Sequence, residues 1–423
     1  MDNFDQPKNC RVLIAAAKAL LPVLLYFRHG HRKLQIAAGG MERIRQLQGQ
    51  RTIICPNHAS WDDADMMFSF SRLIGEDFTY LTAWEVLHRS RINHLWLQHL
   101  GCYPVTRGQA DRKAYEVTRS LLLSGKQKVV IFPEGEISHE YDTLWPIKAG
   151  MIQIAFSALQ KMEKERIWAP IYVLPLVIRY KFLNDVRPAL TRSVAALEQA
   201  LQTECRLEAP LFVRINAVAQ AVVEKLSRKF AVKADEADPS LDCKIAALRA
   251  AMLEHCASIL DKQLDNKMSH LEQAHALQSA LYARLYDKSK TESDKTLSKQ
   301  ELLTLPKLLH LVVDLLAMHE NFVGPDSSDE RLAQVLDLME VEVFDGHPKR
   351  KGEMEVTFVV GAPINLLIFL PQYRKNKTET ENTVIRLYQD EMDALLHTSW
   401  QNRSPTRVIA ETKNTEIGRC PGG

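Results

Sequence analysis

The stretch RTIICPNHASWDD (51–63) joins a β-rich run to the start of a helical one. RTIICPN (51–57) is short, apolar and closed by Pro56-Asn57, which reads as a strand ending in a turn. ASWDDADMMFSFSRLIG (59–75) places apolar residues at helical spacing, and Gly75 marks the stop. A strand that feeds a helix through a short polar turn is the repeating unit of an α/β fold. The carboxyl end of such a strand is also where these folds expose reactive groups.

The same alternation continues outward. DFTYLTAW (77–84) reads as a strand, 86–100 as a helix closed by Gly101, and CYPVTR (102–107) as a short strand. ADRKAYEVTRSLLLSG (110–125) reads as a helix, and KVVIFPEG (128–135) as a buried strand entering a turn. A helix is expected over 146–164 and another buried strand over IYVLPLVIRY (171–180). The fold class is therefore α/β, a mixed or parallel sheet flanked by helices. From 185 to 345 the periodicity is mostly helical, over 190–204, 209–230, 241–265, 268–287, 301–320 and 329–341. DKSKTESDKTLSKQ (287–300) is polar with no apolar period, as in a mobile loop, and GPDSSD (324–329) is a second break. A β-rich run returns at EVTFVVGAPINL (355–366), followed by a helix over about 379–398.

The expected organisation is an amphipathic helical segment at 1–33, an α/β core at 34–184 and a large helical insertion at 185–345. A return to the core at 346–400 and a disordered tail at 401–423 complete it. At 423 residues, 46% apolar and 25% charged, the chain can bury a sizeable core. Its 54 Lys and Arg nearly balance 52 Asp and Glu, so nothing in the composition supports a nucleic-acid partner. The seven cysteines form no C-x-x-C pair and are odd in number. They suggest neither a disulfide framework nor a zinc site, and point to a reducing, cytoplasmic compartment.

VLIAAAKALLPVLLYF (12–27) is the most apolar stretch, but it contains Lys18 and Pro22 and is short for a spanning helix. RHGHRK follows it directly, where a cleaved signal peptide would need small residues. Before His58, nine Lys and Arg face only Asp2, Asp5 and Glu42. The stretch reads either as an interfacial helix on an anionic membrane or as a helix packed on the domain. Peripheral or monotopic attachment at the cytoplasmic face is expected, rather than a span.

Four short blocks carry the candidate chemistry. In NHASWDD, His58 has the side chain best suited to general-base work near neutral pH. A nearby carboxylate would hold one ring N–H. Asp62 at i+4 would face His58 on a regular helix, whereas Asp63 at i+5 reaches it only if His58 sits in the turn before the helix. In FPEGEISH (132–139), Pro133 and Gly135 fix a tight turn around Glu134, an acid placed to meet a hydroxyl or a cation. In GCYPVTR (101–107), Arg107 offers a planar fork suited to phosphate. In VLPLV (173–177), Pro175 interrupts an apolar strand, which argues for an edge, a bulge or a pocket wall. Taken singly, each block also fits an ordinary capped helix, turn, solvated arginine or strand.

Their order, N-H-x-x-x-x-D, G-x-x-x-V-x-R, F-P-E-G and apolar-Pro-apolar, resembles that of the glycerolipid acyltransferase family. That family includes 1-acylglycerol-3-phosphate (lysophosphatidate) and glycerol-3-phosphate acyltransferases. The resemblance covers residues 34–181 and resumes at 355–398. It implies an acyltransferase-type mixed sheet with His58 as the catalytic base and Asp63 as its orienting carboxylate. It also implies that Arg107 holds an acceptor phosphate, that Glu134 and Gly135 form the acceptor-binding turn, and that Pro175 lines the acyl side. It needs no metal, redox cofactor or covalent nucleophile, so Cys55 and Cys102 are set aside. The expected partners are a membrane lipid acceptor and an acyl-coenzyme A or acyl-carrier-protein thioester.

There are departures from the family pattern. Glu136, Ile137, Ser138 and His139 stand where the family commonly has Thr-Arg-Ser, and Val-Thr-Arg replaces Ile-Asp-Arg. Lys148 in WPIKAG is a candidate replacement charge. The first expectation is acyl transfer to a lysophospholipid. The alternatives are another acceptor, such as a lyso-aminolipid, or an inactive membrane- or partner-binding protein. The helical insertion, with His255, His270, His275, His310 and His319, has no counterpart in the family's short members, and its histidines lack partners at ligand spacing.

Overall fold

The computed structural model describes residues 6–107, 110–204, 208–232, 240–286, 298–319 and 322–399. Most of the polar stretch 287–300 and the whole tail 401–423 lie outside them. The chain opens with α1 (Arg11–His29), β1 (His31–Ile36), α2 (Gly40–Gln46), β2 (Arg51–Pro56), α3 (Asp63–Ile74) and β3 (Phe78–Ala83). It continues with α4 (Trp84–Leu87), α5 (Arg91–His99), β4 (Cys102–Val105), α6 (Arg112–Ser124), β5 (Lys128–Val130), α7 (Gly150–Lys164) and β6 (Ile171–Phe182). Helices α8 (Arg187–Leu201), α9 (Leu211–Lys229), α10 (Leu241–Ile259), α11 (His270–Tyr286), α12 (Lys299–Asp314) and α13 (Asp329–Phe344) follow. The last elements are β7 (Met354–Val360), β8 (Ile364–Asn365), a 3-10 turn (Leu366–Phe369), α14 (Leu370–Lys375) and α15 (Lys377–Ser399).

One sheet runs in the order β1-β7-β6-β2-β5-β3-β4, with β8 also paired to β6. All neighbouring pairs are parallel except β6 with β7 and β6 with β8. The sheet is buried on both faces. Ile53, Val129 and Val173 enter one core with α7 and α15, while their neighbours Ile54, Val130 and Leu174 enter the other with α3. This period-two division, with apolar residues on both sides, is the mark of a parallel sheet covered by helices.

The chain divides into two compact units. Among the described residues the first takes in 6–106, 111–184 and 352–399. Among the described residues the second comprises Arg107–Ala110 and Asp185–Lys351. In the second unit, Glu198 and Arg214 form a buried two-pronged ion pair at 2.9 and 2.7 Å between α8 and α9. Ser298 caps α12 in a reciprocal capping box with Glu301, so ordered helix begins inside the stretch expected to be a mobile loop. Cys243 on α10 is disulfide-bonded, which the odd cysteine count did not suggest.

Several local expectations change. The RHGHRK cluster, read from sequence as a basic flank, ends inside the edge strand β1 beside β7. The helix expected over 86–100 is two helices, because Ser90 is extended and caps α5 by accepting from Asn93 N. Pro175 lies in the interior strand β6 and not at an edge. Its carbonyl accepts from Gly361 N at 2.9 Å, so its missing N–H also faces the break between β7 and β8.

Helix α1 buries Ile14, Ala17, Leu21 and Leu25, and exposes Val12, Leu20, Val23, Leu24 and Phe27. Lys18 is turned into the domain, donating to Glu76 O and Asp77 Oδ1 at 2.7 Å each. Among the described residues this is the helix long and apolar enough to cross a membrane by length and composition. One face is nonetheless packed on the sheet unit.

Phe70 on α3 is fully buried between Phe78 and Phe358. Phe70→Ala should lower the unfolding free energy by about 3–5 kcal/mol in urea denaturation. A loss under about 1 kcal/mol would contradict this core.

Candidate active site

Strands β2 and β5 are parallel neighbours, so their carboxyl ends deliver His58 and Glu134 side by side. Asn57 fixes the end of β2. Its N–H donates to Leu176 O at 3.2 Å, and its Oδ1 accepts from Ile178 N at 2.7 Å. The chain then turns, and α3 begins only at Asp63. The reason is local. Asp63 Oδ2 accepts from Ala59 N at 2.7 Å and from Ser60 N at 2.8 Å, drawing both amides into the turn and away from the expected helix.

The same oxygen lies 3.0 Å from His58 Nδ1. Asp63 is thus the partner and Asp62 is not, because His58 does sit before the helix. Asp63 Oδ1 accepts from Tyr180 OH at 2.6 Å. Burial, followed by the Asp63 charge, pushes the Tyr180 phenol well above its ordinary value, so it remains a proton donor. The fully buried Asp63 carboxylate therefore meets four donors. An ionised carboxylate only accepts, so Nδ1 of His58 must carry the proton and Nε2 the lone pair. Nε2 has no hydrogen-bond partner among the described residues, and the side chain is 18% exposed. The Phe132 ring stacks on the imidazole at 4.1 Å.

The second block braces the first. Glu134 Oε1 accepts from His58 N at 2.7 Å, and Oε2 accepts from Trp145 N at 2.9 Å. Glu134 thus ties the histidine turn to the loop before α7. Ser138 N donates to His58 O at 2.7 Å. Burial pushes the Glu134 carboxyl up to about 8, against the two amides that favour its anion and with Asp63 and Glu140 raising it further. Gly135 has φ +78°, and a Cβ there would lie 2.6 Å from Lys148 Nζ. Lys148, the candidate replacement charge, therefore lies across the FPEG turn.

The structure brings His58, Asp63, Glu134, Gly135 and Lys148 together at the carboxyl ends of β2 and β5. Pro175 is buried within the sheet, in register with Cys55 of β2. Arg107 belongs to the second unit, where its carbonyl accepts from Ser279 Oγ at 2.8 Å. Sequence reasoning did not find Tyr180, Asn57 or Phe132. Asn57 stood in the quoted motif, whereas Tyr180 is 117 positions from Asp63 and had no local signal.

Residues 35–179 match the family model described as Acyltransferase. That segment holds β2 to β5, the His58–Asp63 pair and the FPEG turn, and it supports acyl transfer as the domain's general chemistry. A search of curated proteins gives no match.

Tyr180→Phe should leave the protein folded and lower turnover by about 10- to 100-fold, the worth of a hydrogen bond to a buried charge. Turnover equal to wild type would remove Tyr180 from the site. Glu134 gives a pH prediction. Its folded value lies above the ordinary carboxyl value, so the unfolded chain releases this proton more readily. Its contribution to stability is thus greatest at low pH and falls as pH rises toward about 8. Between pH 6 and pH 9 the Tm of wild type should fall more steeply than that of Glu134→Gln. Parallel curves would contradict the assignment.

Proposed function

We propose that the protein is an O-acyltransferase that moves a fatty acyl group from an acyl thioester to the hydroxyl of a lysophospholipid. The favoured acceptor is 1-acyl-sn-glycerol-3-phosphate, giving phosphatidate. The observation that carries the reading is the buried Asp63 carboxylate holding Nδ1 of His58, with Nε2 left for a substrate proton.

In this scheme Nε2 takes the acceptor hydroxyl proton as the oxygen attacks the thioester carbonyl carbon. The C–O bond forms, and the tetrahedral intermediate then collapses with loss of the C–S bond. The departing thiolate takes the proton back from the imidazolium. Asp63 stabilises that cation while it exists. The products are an ester and a free thiol, with no acyl-enzyme. The donor is acyl-coenzyme A or acyl-carrier protein, and Lys148 is the charge near the turn that would meet an acceptor phosphate.

A second reading keeps the reaction and changes the acceptor. Glu136 and Glu140 are both buried in the acceptor block. Acids there favour an acceptor carrying an amine, such as a lyso-aminolipid. Attachment to a membrane surface fits either acceptor. The exposed face of α1 is continued by Ile92, Leu95 and Trp96 of α5, whose end bonds to the start of α1 through Lys8 N to Gln98 O and Cys10 N to His99 O.

The test is acceptor-dependent thiol release from a long-chain acyl-coenzyme A, with lysophosphatidate, other lysophospholipids, a lyso-aminolipid and glycerol 3-phosphate compared. His58→Ala should lose about 10²- to 10⁴-fold in turnover while keeping its helical spectrum. Full activity in that variant would sink the mechanism. A preference for the lyso-aminolipid would select the second reading. Wild type should also float with anionic vesicles, and Val23→Glu with Leu24→Glu should not. Equal flotation would exclude α1 as the attachment surface.

A further inference from the structure

The sequence HGH (29–31) lies outside the four motif blocks, yet the fold gathers it into a compact donor set. His29 ends α1 and His31 begins β1, and Gly30 between them takes φ +77°. The two rings come to lie stacked, 5.6 Å apart with 17° between their planes. Asp62, next to the orienting Asp63 but facing the other way, inserts between them. Its Oδ1 lies 2.9 Å from His29 Nδ1, and its Oδ2 lies 2.8 Å from His31 Nε2. One donor atom from each residue lies within 4.8 Å of the others. The His31 side chain is 1% exposed and that of Asp62 18%.

We infer that His29, His31 and Asp62 bind a divalent transition-metal cation of the Zn2+ class, which pins the end of α1 and the start of β1 to the catalytic turn. Charge is the first reason. Asp65 Oδ2 lies 3.9 Å from His29 Nε2, so two carboxylates share this corner with two imidazoles. Among the described residues no Lys or Arg comes within 4.0 Å of either carboxylate. Arg28 acts on Asp65 from beyond that distance, and a dication would neutralise the partly buried negative charge that it leaves. Geometry is the second. Metal–nitrogen and metal–oxygen bonds of about 2.1 Å set neighbouring donors roughly 3 Å apart. The observed 2.8 and 2.9 Å run to different oxygens of Asp62 and would open, while the three donor atoms, all within 4.8 Å of one another, would close around one cation.

Ring orientation is the third reason. With the cation on Nδ1 of His29, its proton moves to Nε2, which faces Asp65. That is the carboxylate–histidine–metal arrangement that orients ligating histidines. Two imidazoles with one carboxylate favour Zn2+ over the oxygen-seeking Mg2+. Asp62 makes no side-chain cap to α3, and its carboxylate faces the two imidazoles instead.

The test uses the full chain, stripped with chelator, reloaded with Zn2+ or Co2+ and desalted, and read by metal analysis, absorption and thermal unfolding. Wild type should retain one equivalent of Zn2+ and give visible d–d bands with Co2+. Zn2+ should raise its Tm, and Mg2+ at the same concentration should not. His29→Ala and Asp62→Asn should each bind Zn2+ at least tenfold more weakly. His29→Gln keeps a hydrogen-bond donor for Asp62, so it should fold as wild type and still lose the metal. No retained Zn2+ in wild type, undiminished binding in any of the three variants, or an equal response to Mg2+ would overturn the site. These readouts do not use acyl transfer, so failure of the metal site and failure of the proposed reaction are distinguishable.

Discussion

The candidate site depends on one buried carboxylate. Asp63 is removed from water, and removing an ionised group from water is tolerable only with full hydrogen bonding. Its four donors come from the turn that precedes it, from His58 and from Tyr180 on a separate strand. Each contact also fixes geometry. The two amides set the turn, the phenol ties the turn to β6, and the imidazole is left with one orientation and one tautomer. Removing the carboxylate would release all three together.

The sheet order makes this arrangement possible. Strand β2 lies between β5 and β6, so the loop after it has the FPEG turn on one side and Tyr180 on the other. Glu134 and Asn57 act on the two sides of that loop, each through main-chain hydrogen bonds. Asp62 turns outward to His29 and His31, so adjacent carboxylates serve separate purposes. One faces His58, and the other faces the junction between α1 and β1.

Local patterns were readable in the sequence, and long-range pairings were not. The alternation of strands and helices over 51–180 follows from apolar spacing and from stops such as Gly75, which takes the left-handed conformation at the end of α3. His58 and Asp63 were legible as candidates, but the choice between Asp62 and Asp63 needed the resemblance. The structure supplies the physical reason, since the turn amides bind Asp63 and delay the helix. Strand β1 was missed because HRKLQI carries three basic or imidazole groups and only its first residue is fully buried. Pro175 looked like an edge signal, yet the break between β7 and β8 lets it sit in an interior strand. Tyr180 could not be found from spacing, because strand pairing across the sheet brings it to Asp63.

The chemistry of the site turns on where the proton sits on His58. Ring nitrogen-15 chemical shifts of labelled histidine, with His58 assigned by difference from His58→Gln, report it directly. At a pH where the imidazole is neutral, Nδ1 should be protonated and Nε2 unprotonated in wild type. A protonated Nε2 with a bare Nδ1 would contradict it, since that imidazole could neither donate to Asp63 nor take a proton from an acceptor hydroxyl.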